Sequence, residues 1–149
     1  MAALLELEVI DETGYLEDDE FALGGDVAVT QEDVRMVQLS KSAICAGAVT
    51  LTDTAGVAPE DIPVLYIAGG FGNYLNINSS VKIGLLPSAL AENAVTVGNA
   101  AIAGASVMLL DVGSRERLSE SIRGAVALEL STSKIFSDAY IAGMMFEEV

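Results

Sequence analysis

Residues 64–73 read Val-Leu-Tyr-Ile-Ala-Gly-Gly-Phe-Gly-Asn, and this stretch decides the fold class. Its first five residues form a continuous apolar run, which is typical of a parallel strand covered on both faces. The run ends abruptly in Gly69 and Gly70. Ligands of open α/β sheets bind at the carboxyl ends of the strands, where paired glycines let the backbone approach a flat ring or a phosphate. A tight turn without any ligand would use the same residues, so both interpretations stay open.

Helical and strand patterns alternate on both sides of this strand. Thr30 is a good helix N-cap, and the apolar residues Val34, Val37, Ile44, Ala48, Leu51 and Ala55 follow a 3.6-residue period up to a stop at Gly56. Further elements are predicted in this order: a short helix near 76–83, a strand at 94–97, helices at 99–110 and 114–123, a strand at 125–130 and a helix at 134–146. This order predicts an α/β fold with a mainly parallel sheet flanked by helices.

Acidic residues are concentrated at the beginning of the chain. The 149 residues carry a net charge of −15, and residues 1–33 contain 11 acidic and no basic residues. We expect residues 1–29 to form a helix end and an acidic connecting segment, exposed as a loop at 17–26, and residues 30–149 to form the main lobe. The charge argues against nucleic acid and anionic membranes as partners. A docking surface for a basic protein and a merely solvated segment remain alternatives.

Residue types that build many catalytic and metal sites are scarce. The chain has no histidine, and Cys45 is its one cysteine, so it can form neither a disulfide nor a cysteine-ligated iron–sulfur cluster by itself. We therefore assign no catalytic residue and no metal ligand. Polar residues and glycines interrupt the charge-free stretches at 62–81 and 93–110, and no signal peptide is recognisable. We expect a cytoplasmic chain that does not enter a membrane.

Two polar residues interrupt the apolar stripe of the long predicted helix. Lys41 falls near the centre of the stripe, and Gln38 lies one turn earlier at its margin. A lysine on a core-facing stripe either extends its ammonium group to the edge of the core or meets a polar partner inside it. The sequence pattern alone does not decide between the two.

The glycine turn resembles the adenosine motif of the actin, sugar-kinase and heat-shock chaperone ATPase superfamily, and a second strand–glycine–helix run at 95–105 supports this. More narrowly, three strings resemble the C-terminal domain of ATP-dependent reductive activators of corrinoid proteins. They are TQEDVRMVQLSK at 30–41, IAGGFGNYL at 67–75 and Ile83-Gly84-Leu85-Leu86-Pro87. The resemblance covers the chain from about residue 4 to its end. It implies a ribonuclease H-like lobe of the actin-like ATPase fold.

The resemblance also implies a function and a site. The lobe would bind the adenosine part of ATP, held as Mg-ATP in the full-length protein, and help to reduce cob(II)alamin to cob(I)alamin. An iron–sulfur cluster is expected elsewhere in the parent chain. The expected partner is a corrinoid protein or a corrinoid methyltransferase, with a homodimer as a further option. The implied adenosine-site residues are Gly69, Gly70, Phe71, Gly72, Asn73, Gln38 and Lys41.

Two other functions remain open. The superfamily's first phosphate loop, Asp-x-Gly, is not recognisable in the sequence, so we do not expect this lobe to be catalytic alone. The chain could instead belong to another ATPase of the superfamily, such as an activator of 2-hydroxyacyl-CoA dehydratases or a kinase. It could also be a docking or dimerisation module that binds no nucleotide.

Overall fold

A long helix, α2 (Gln31–Ala55), organises the computed structural model, which describes residues 1–70 and 72–149. Its first turn is closed by a capping box, because the Thr30 hydroxyl accepts from the Asp33 amide and the Asp33 carboxylate accepts from the Thr30 amide. Gly56 ends the helix in the left-handed conformation, with φ 63°. The predicted bounds of this helix are confirmed.

The other elements are short. In chain order they are α1 (Ala2–Glu6), β1 (Glu20–Gly24), β2 (Val27–Thr30), β3 (Leu65–Ala68), α3 (Ile77–Lys82), α4 (Ser88–Ala91), β4 (Ala94–Gly98), α5 (Ala100–Leu110), α6 (Ser114–Arg123) and α7 (Lys134–Ala142). Single 3-10 turns lie at Pro59–Asp61, Gly72–Tyr74 and Leu130–Thr132. In the described part of the chain, no helix is long and apolar enough to cross a membrane.

The strands form two small pairs. Strands β3 and β4 run parallel, with Leu65 opposite Ala94 and Ile67 opposite Thr96, which confirms the predicted α/β class. Strands β1 and β2 form an antiparallel hairpin. The prediction of a loop at 17–26 is therefore wrong over β1, since the pairing depends on a partner strand that the local acidic composition does not reveal.

The C-terminal third differs from its predicted elements in two places. The predicted strand at 125–130 is wrong, because this stretch lies beside no other strand in the described residues and a strand needs a partner for its backbone groups. The last helix ends at Ala142 rather than Phe146. Residues 144–149, called the C-terminal segment below, leave the helix and pack against α2.

The main hydrophobic core lies where the two ends of the chain meet α2. Its buried members are Leu4, Ile10, Leu16, Val34 and Phe146. Residues before and after position 30 therefore share one core. The proposed division of the chain at residue 30 stays a prediction.

Helix α2 turns its polar and small residues inward. Helix α7 packs on the face that contains Ser42 and Ala46, and the glycine after α7 comes so close that an added Cβ at Gly143 would lie 3.1 Å from the Ser42 hydroxyl. Of the predicted apolar stripe, Val34 is fully buried, but Ile44 and Leu51 are 49% and 57% exposed. The stripe was wrong at those two positions because close helix packing selects small residues, and it was also wrong at Ala55, which is exposed at the end of the helix.

Candidate functional site

The glycine turn lies at the carboxyl ends of the parallel strands. Gly69 adopts φ +98° and donates its amide to the carbonyl oxygen of Gly98 at 2.7 Å, so the ends of β3 and β4 are joined. A Cβ added at Gly69 or Gly70 would meet no other described atom within 4 Å. The turn therefore faces open space and is not packed against the rest of the described chain.

The residues after the turn fold back against β3. An added Cβ at Gly72 would lie 2.6 Å from the Cγ2 atom of Ile67, so the close return of the chain requires glycine there. Asn73 is exposed, and its amide can donate and accept hydrogen bonds. Phe71, which is also a predicted site residue, lies outside the described residues.

A cleft of about 540 Å³ separates α2 from the segment that follows the glycine turn. Its size falls within the range of about 300–1,000 Å³ that is usual for small-molecule sites. Its walls are mainly apolar, with Met36, Val37, Ile44, Leu75, Ile83 and Leu85, and its polar contributors include Ser40, Lys41, Tyr74, Asn76 and Ser79. Such walls suit a flat heterocyclic base that also needs a few polar contacts.

Of the predicted site residues that the structure describes, one lies in the wall of the cleft. Lys41 lines the cleft, and the opposite wall begins at Tyr74, directly after Asn73. The other described members of the predicted site are not part of the lining: Gly69, Gly70, Gly72, Asn73 and Gln38. The glycine turn thus precedes the cleft wall along the chain, whereas the Gln38 side chain bonds to Thr13 and Met144 outside the cleft.

Lys41 has 0% of its surface exposed. Its ammonium group donates to the carbonyl oxygen of Met145, and the Nζ atom lies 5.0 Å from the centroid of the Phe146 ring. Burial lowers the pKa of the Lys41 ammonium, while the nearby Cys45 and Glu147 act in the opposite direction. The alternative that Lys41 extends to the edge of the core is wrong, and the alternative that it meets a polar partner is confirmed.

Gln38 and Ser42 contact the same part of the chain as Lys41. The Gln38 side-chain amide donates to the carbonyl oxygens of Thr13 and Met144, both at 2.9 Å, and the Ser42 hydroxyl donates to the carbonyl of Tyr140. Carbonyl groups at a helix C-terminus have no partner within the helix. These α2 side chains supply partners at the end of α7 and just beyond it. The sequence signal for this cluster was the run of polar residues on one face of α2.

The Gly-Leu-Leu-Pro string holds the C-terminal segment from the other side. Gly84 adopts φ +70°, and an added Cβ would lie 2.4 Å from the carbonyl oxygen of Glu147 and 3.2 Å from Nζ of Lys41. The Ser88 amide and hydroxyl both donate to the backbone oxygen of Val149, at 2.7 and 3.0 Å. The sequence marked this string by resemblance only, and its contacts explain why a glycine is required.

The arrangement fits the nucleoside part of a nucleotide better than its phosphates. The open glycine turn can approach a ribose or a base, and the cleft offers mainly apolar walls, with Lys41 fully buried behind them. Within residues 1–70 and 72–149, no group of three or more acidic, cysteine or histidine residues is arranged to hold a metal ion.

Residues 6–149 match the family model described as the C-terminal domain of RACo, the ASKHA domain. The chain belongs to this family. A solved structure of a reductive activator for corrinoid, iron–sulfur protein matches this RACo-type domain with a TM-score of 0.87 and 30% identity, over 99% of this chain and 27% of that one. The predicted lobe of the actin-like ATPase fold is thus confirmed.

Two curated proteins are similar to this RACo-type domain. It is 36% identical over 123 residues to the corrinoid activation enzyme RamQ of Eubacterium limosum, covering 83% of this chain and 21% of that protein. It is 25% identical over 147 residues to the Co(II) methylated amine-specific corrinoid protein reductase of Methanosarcina barkeri, covering 97% of this chain and 27% of that protein. The chain thus spans about a quarter of the length of these relatives.

Proposed function

We propose that this chain is the adenosine-side lobe of an ATP-dependent reductive activator, which helps to reduce cob(II)alamin to cob(I)alamin on a corrinoid protein in the cytoplasm. The observation that carries the proposal is the open glycine turn at the strand ends, which leads into a cleft lined by Lys41. Membership in the RACo-type family and the names of both relatives, a corrinoid activation enzyme and a corrinoid protein reductase, support the reaction.

The proposed site has two parts, the glycine turn after β3 and the face of helix α2 that contains Lys41. Gly69, Gly70 and Gly72 would let the backbone approach the nucleoside, and the exposed amide of Asn73 would bond to its polar edge, with Phe71 in the same turn. Lys41 would add positive charge from the cleft wall. The Gln38 amide already donates to two carbonyl groups, so any contact with the nucleotide would use its side-chain oxygen.

The proposed division of labour extends beyond this chain. ATP would supply the free energy for a reduction that is unfavourable with ordinary donors, through the difference in nucleotide affinity between conformational states. The phosphates, Mg²⁺ and the iron–sulfur cluster that donates the electron would be held elsewhere in the parent protein. This lobe would bind and orient the nucleoside. Nucleotide binding would change how the activator interacts with its corrinoid partner, which is a corrinoid protein or a corrinoid methyltransferase. Dimerisation of the activator is part of the proposal.

Calorimetric titration of the chain with ATP and ADP tests the site. We expect weak binding, with a dissociation constant of about 0.1–1 mM, equivalent to about −4 to −5.5 kcal/mol. Gly70→Val should abolish it, because the new side chain would fill the open space beside the turn. Gly104→Val is the matched control, since an added Cβ there also meets no other described atom within 4 Å, in α5 rather than in the site.

A failure to bind because the second lobe is missing has to be distinguished from a failure to bind because this lobe has no nucleotide site. If neither nucleotide binds to the chain, the titration should be repeated with the chain joined to the remaining domains of a RACo relative. Absence of binding at millimolar nucleotide in that protein as well would refute the proposed function.

A docking module without nucleotide is the second candidate. Apolar side chains on the described surface favour it, among them Tyr66, Ile102, Leu109, Leu110 and Val112. Uncovered apolar surface of this kind commonly marks an interaction site. Binding to a corrinoid protein that responds to salt but not to ATP would favour this candidate over the first.

A further inference from the structure

Residues 94–126 have almost no interior of their own. Ser114 is the one buried residue of this fully described stretch, whereas the other buried residues of the described chain lie before residue 92 or after residue 142. Folding has to offset the entropy that each residue loses on ordering, and it does so mainly by burying apolar surface. This part of the molecule therefore needs apolar surface from elsewhere to cover it.

Helix α5 is apolar on every side. Its sequence, AAIAGASVMLL at 100–110, has one polar side chain, Ser106, whose hydroxyl donates to the Ile102 carbonyl of the same helix. Ile102, Leu109 and Leu110 are 65%, 85% and 87% exposed. A surface helix has one apolar face, whereas a helix that is apolar all round is typical of a protein interior. The composition of α5 thus fits a helix that is covered on more than one side.

The β3–β4 pair is also incomplete. Parallel sheets have both faces covered, and two strands alone are marginally stable at best. The Leu65 and Gly69 amides of β3 donate towards β4, to the Asn93 and Gly98 carbonyl oxygens at 3.1 and 2.7 Å. Successive amides of a strand point to opposite edges, so the Tyr66 amide points away from β4. No strand lies beside that edge of β3 among the described residues.

Strand β4 has the features of an outer strand. Thr96 lies opposite Ile67, and the next pair is Ala68 with Gly98. Val97 is thus an extra residue that bulges out of the ladder. Bulges are frequent at sheet edges, where they hinder further pairing. Strand β3 runs without an extra residue, so it is the strand of the pair that suits a second neighbour.

A second copy of this chain is a poor partner for these surfaces. Residues 94–126 contain three acidic and three basic residues and so carry no net charge, whereas the whole chain carries −15. Pairing two copies would bring two charges of −15 together, and such repulsion opposes association. A corrinoid protein that binds and leaves is unsuitable as well, since strongly apolar interfaces are typical of permanent contacts.

The longer relatives offer a better partner. The solved reductive activator matches 99% of this chain with a TM-score of 0.87, so its fold includes the region around α5. The matched part is 27% of that protein, and about three-quarters of it lies outside. A segment of the same polypeptide has a high effective concentration at the lobe, so it can cover the lobe permanently.

We propose that β3 and α5 form a permanent interface inside the parent protein. A segment of that protein outside these 149 residues adds a strand beside β3, and apolar side chains from outside these residues cover α5. These surfaces are then neither a corrinoid docking site nor a dimer interface. The interface does not depend on nucleotide binding, so a failure of the proposed function would leave it standing.

Cysteine labelling of the parent protein tests the coverage of α5. Cys45, the one cysteine of this chain, is buried, so labelling of an Ile102→Cys variant with maleimide can be followed by peptide mass spectrometry. Ile141→Cys is the matched control, because Ile141 is an isoleucine of helix α7 that is 70% exposed, against 65% for Ile102. Both variants should react at similar rates in this chain alone. In the parent protein position 102 should react at least about 100-fold more slowly than position 141, since the reaction then requires a local opening.

Three results would overturn the coverage of α5 by the parent protein. The first is equal labelling at the two positions of the parent protein. The second is protection of position 102 in this chain alone that disappears on dilution, because a second copy would then be the partner. The third is protection in the parent protein that appears only after a corrinoid protein is added.

Amide hydrogen exchange in the unmodified parent protein, resolved to single residues, tests the added strand. The Ile67 amide points towards β4 and the neighbouring Tyr66 amide points away from it, so Ile67 is the internal control. With a strand beside β3, the two amides should exchange slowly and within about 10-fold of each other. Exchange of the Tyr66 amide that is faster than this limit would show a free edge and overturn the added strand.

Discussion

Gly84→Ala is the sharpest test of how the C-terminal segment is packed. The new methyl group would lie 2.4 Å from the Glu147 carbonyl oxygen and 3.2 Å from Nζ of Lys41, at a backbone φ of +70°. The first distance is far shorter than any van der Waals contact, and the obstacle is backbone rather than the tip of a flexible side chain. Either the Gly84 turn or the C-terminal segment must therefore move.

The cost has two parts. Left-handed backbone at a residue with a Cβ costs about 1–2 kcal/mol. Overpacking adds about 1–3 kcal/mol when surrounding groups have to shift. Gly56→Ala isolates the first part, because Gly56 has a similar φ of +63° and an added Cβ there meets no other described atom within 4 Å. The two variants should therefore differ by about 1–3 kcal/mol, or about 2–12 °C in Tm for a domain of this size.

Urea denaturation followed by circular dichroism measures both variants under the same conditions. Equal losses of unfolding free energy, within about 0.5 kcal/mol, would refute the argument that the segment lies against Gly84. A larger loss in Gly56→Ala than in Gly84→Ala would refute it as well.

Three further predictions concern a buried charge, a helix cap and a surface. In a Cys45→Ala background, which removes the thiol that titrates nearby, the unfolding free energy should rise with pH between the lowered pKa of Lys41 in the folded protein and its ordinary value of 10.5. Urea denaturation at pH 7–10.5 measures this rise, which the Lys41→Met variant in the same background should lack. Thr30→Ala should cost about 1 kcal/mol in the same assay through loss of the capping box, whereas Thr30→Ser should retain most of it. Leu110→Lys, at an 87% exposed position, should change the unfolding free energy by no more than about 0.5 kcal/mol, whereas Leu90→Lys in the interior should be strongly destabilising.

Elements with local signals were predictable from the sequence. The capping residues and Gly56 fixed both ends of α2, and the β-rich run before Gly69 located β3 correctly. The predicted strand at 125–130 was also mainly apolar but had no signal about a neighbouring strand. Strand formation depends on pairing with distant residues, whereas helix caps act within one turn.

The inner face of α2 was harder to predict for a different reason. The hydrophobic period favoured Ile44 and Leu51, which are large but exposed, over Ser42 and Ala46, which are small and buried. Burial on this helix follows the close approach of α7 rather than the hydrophobicity of each side chain. A pattern of apolar residues cannot show which neighbour comes closest, so the size of the residues was the missing criterion.

Lys41 shows how far a polar residue in an apolar stripe can be interpreted. Its position predicted either an extension of the ammonium group to the edge of the core or a polar partner inside it, because a buried ammonium group without a partner is too costly. It did not establish whether that partner is a ligand or the chain's own backbone, since a carbonyl oxygen and a nucleotide oxygen satisfy the same donor. Here the carbonyl of Met145 holds the ammonium group while the cleft lies against the same side chain. The structure therefore supplies the chain's own backbone as the polar partner, and the sequence pattern could not have distinguished this from a ligand.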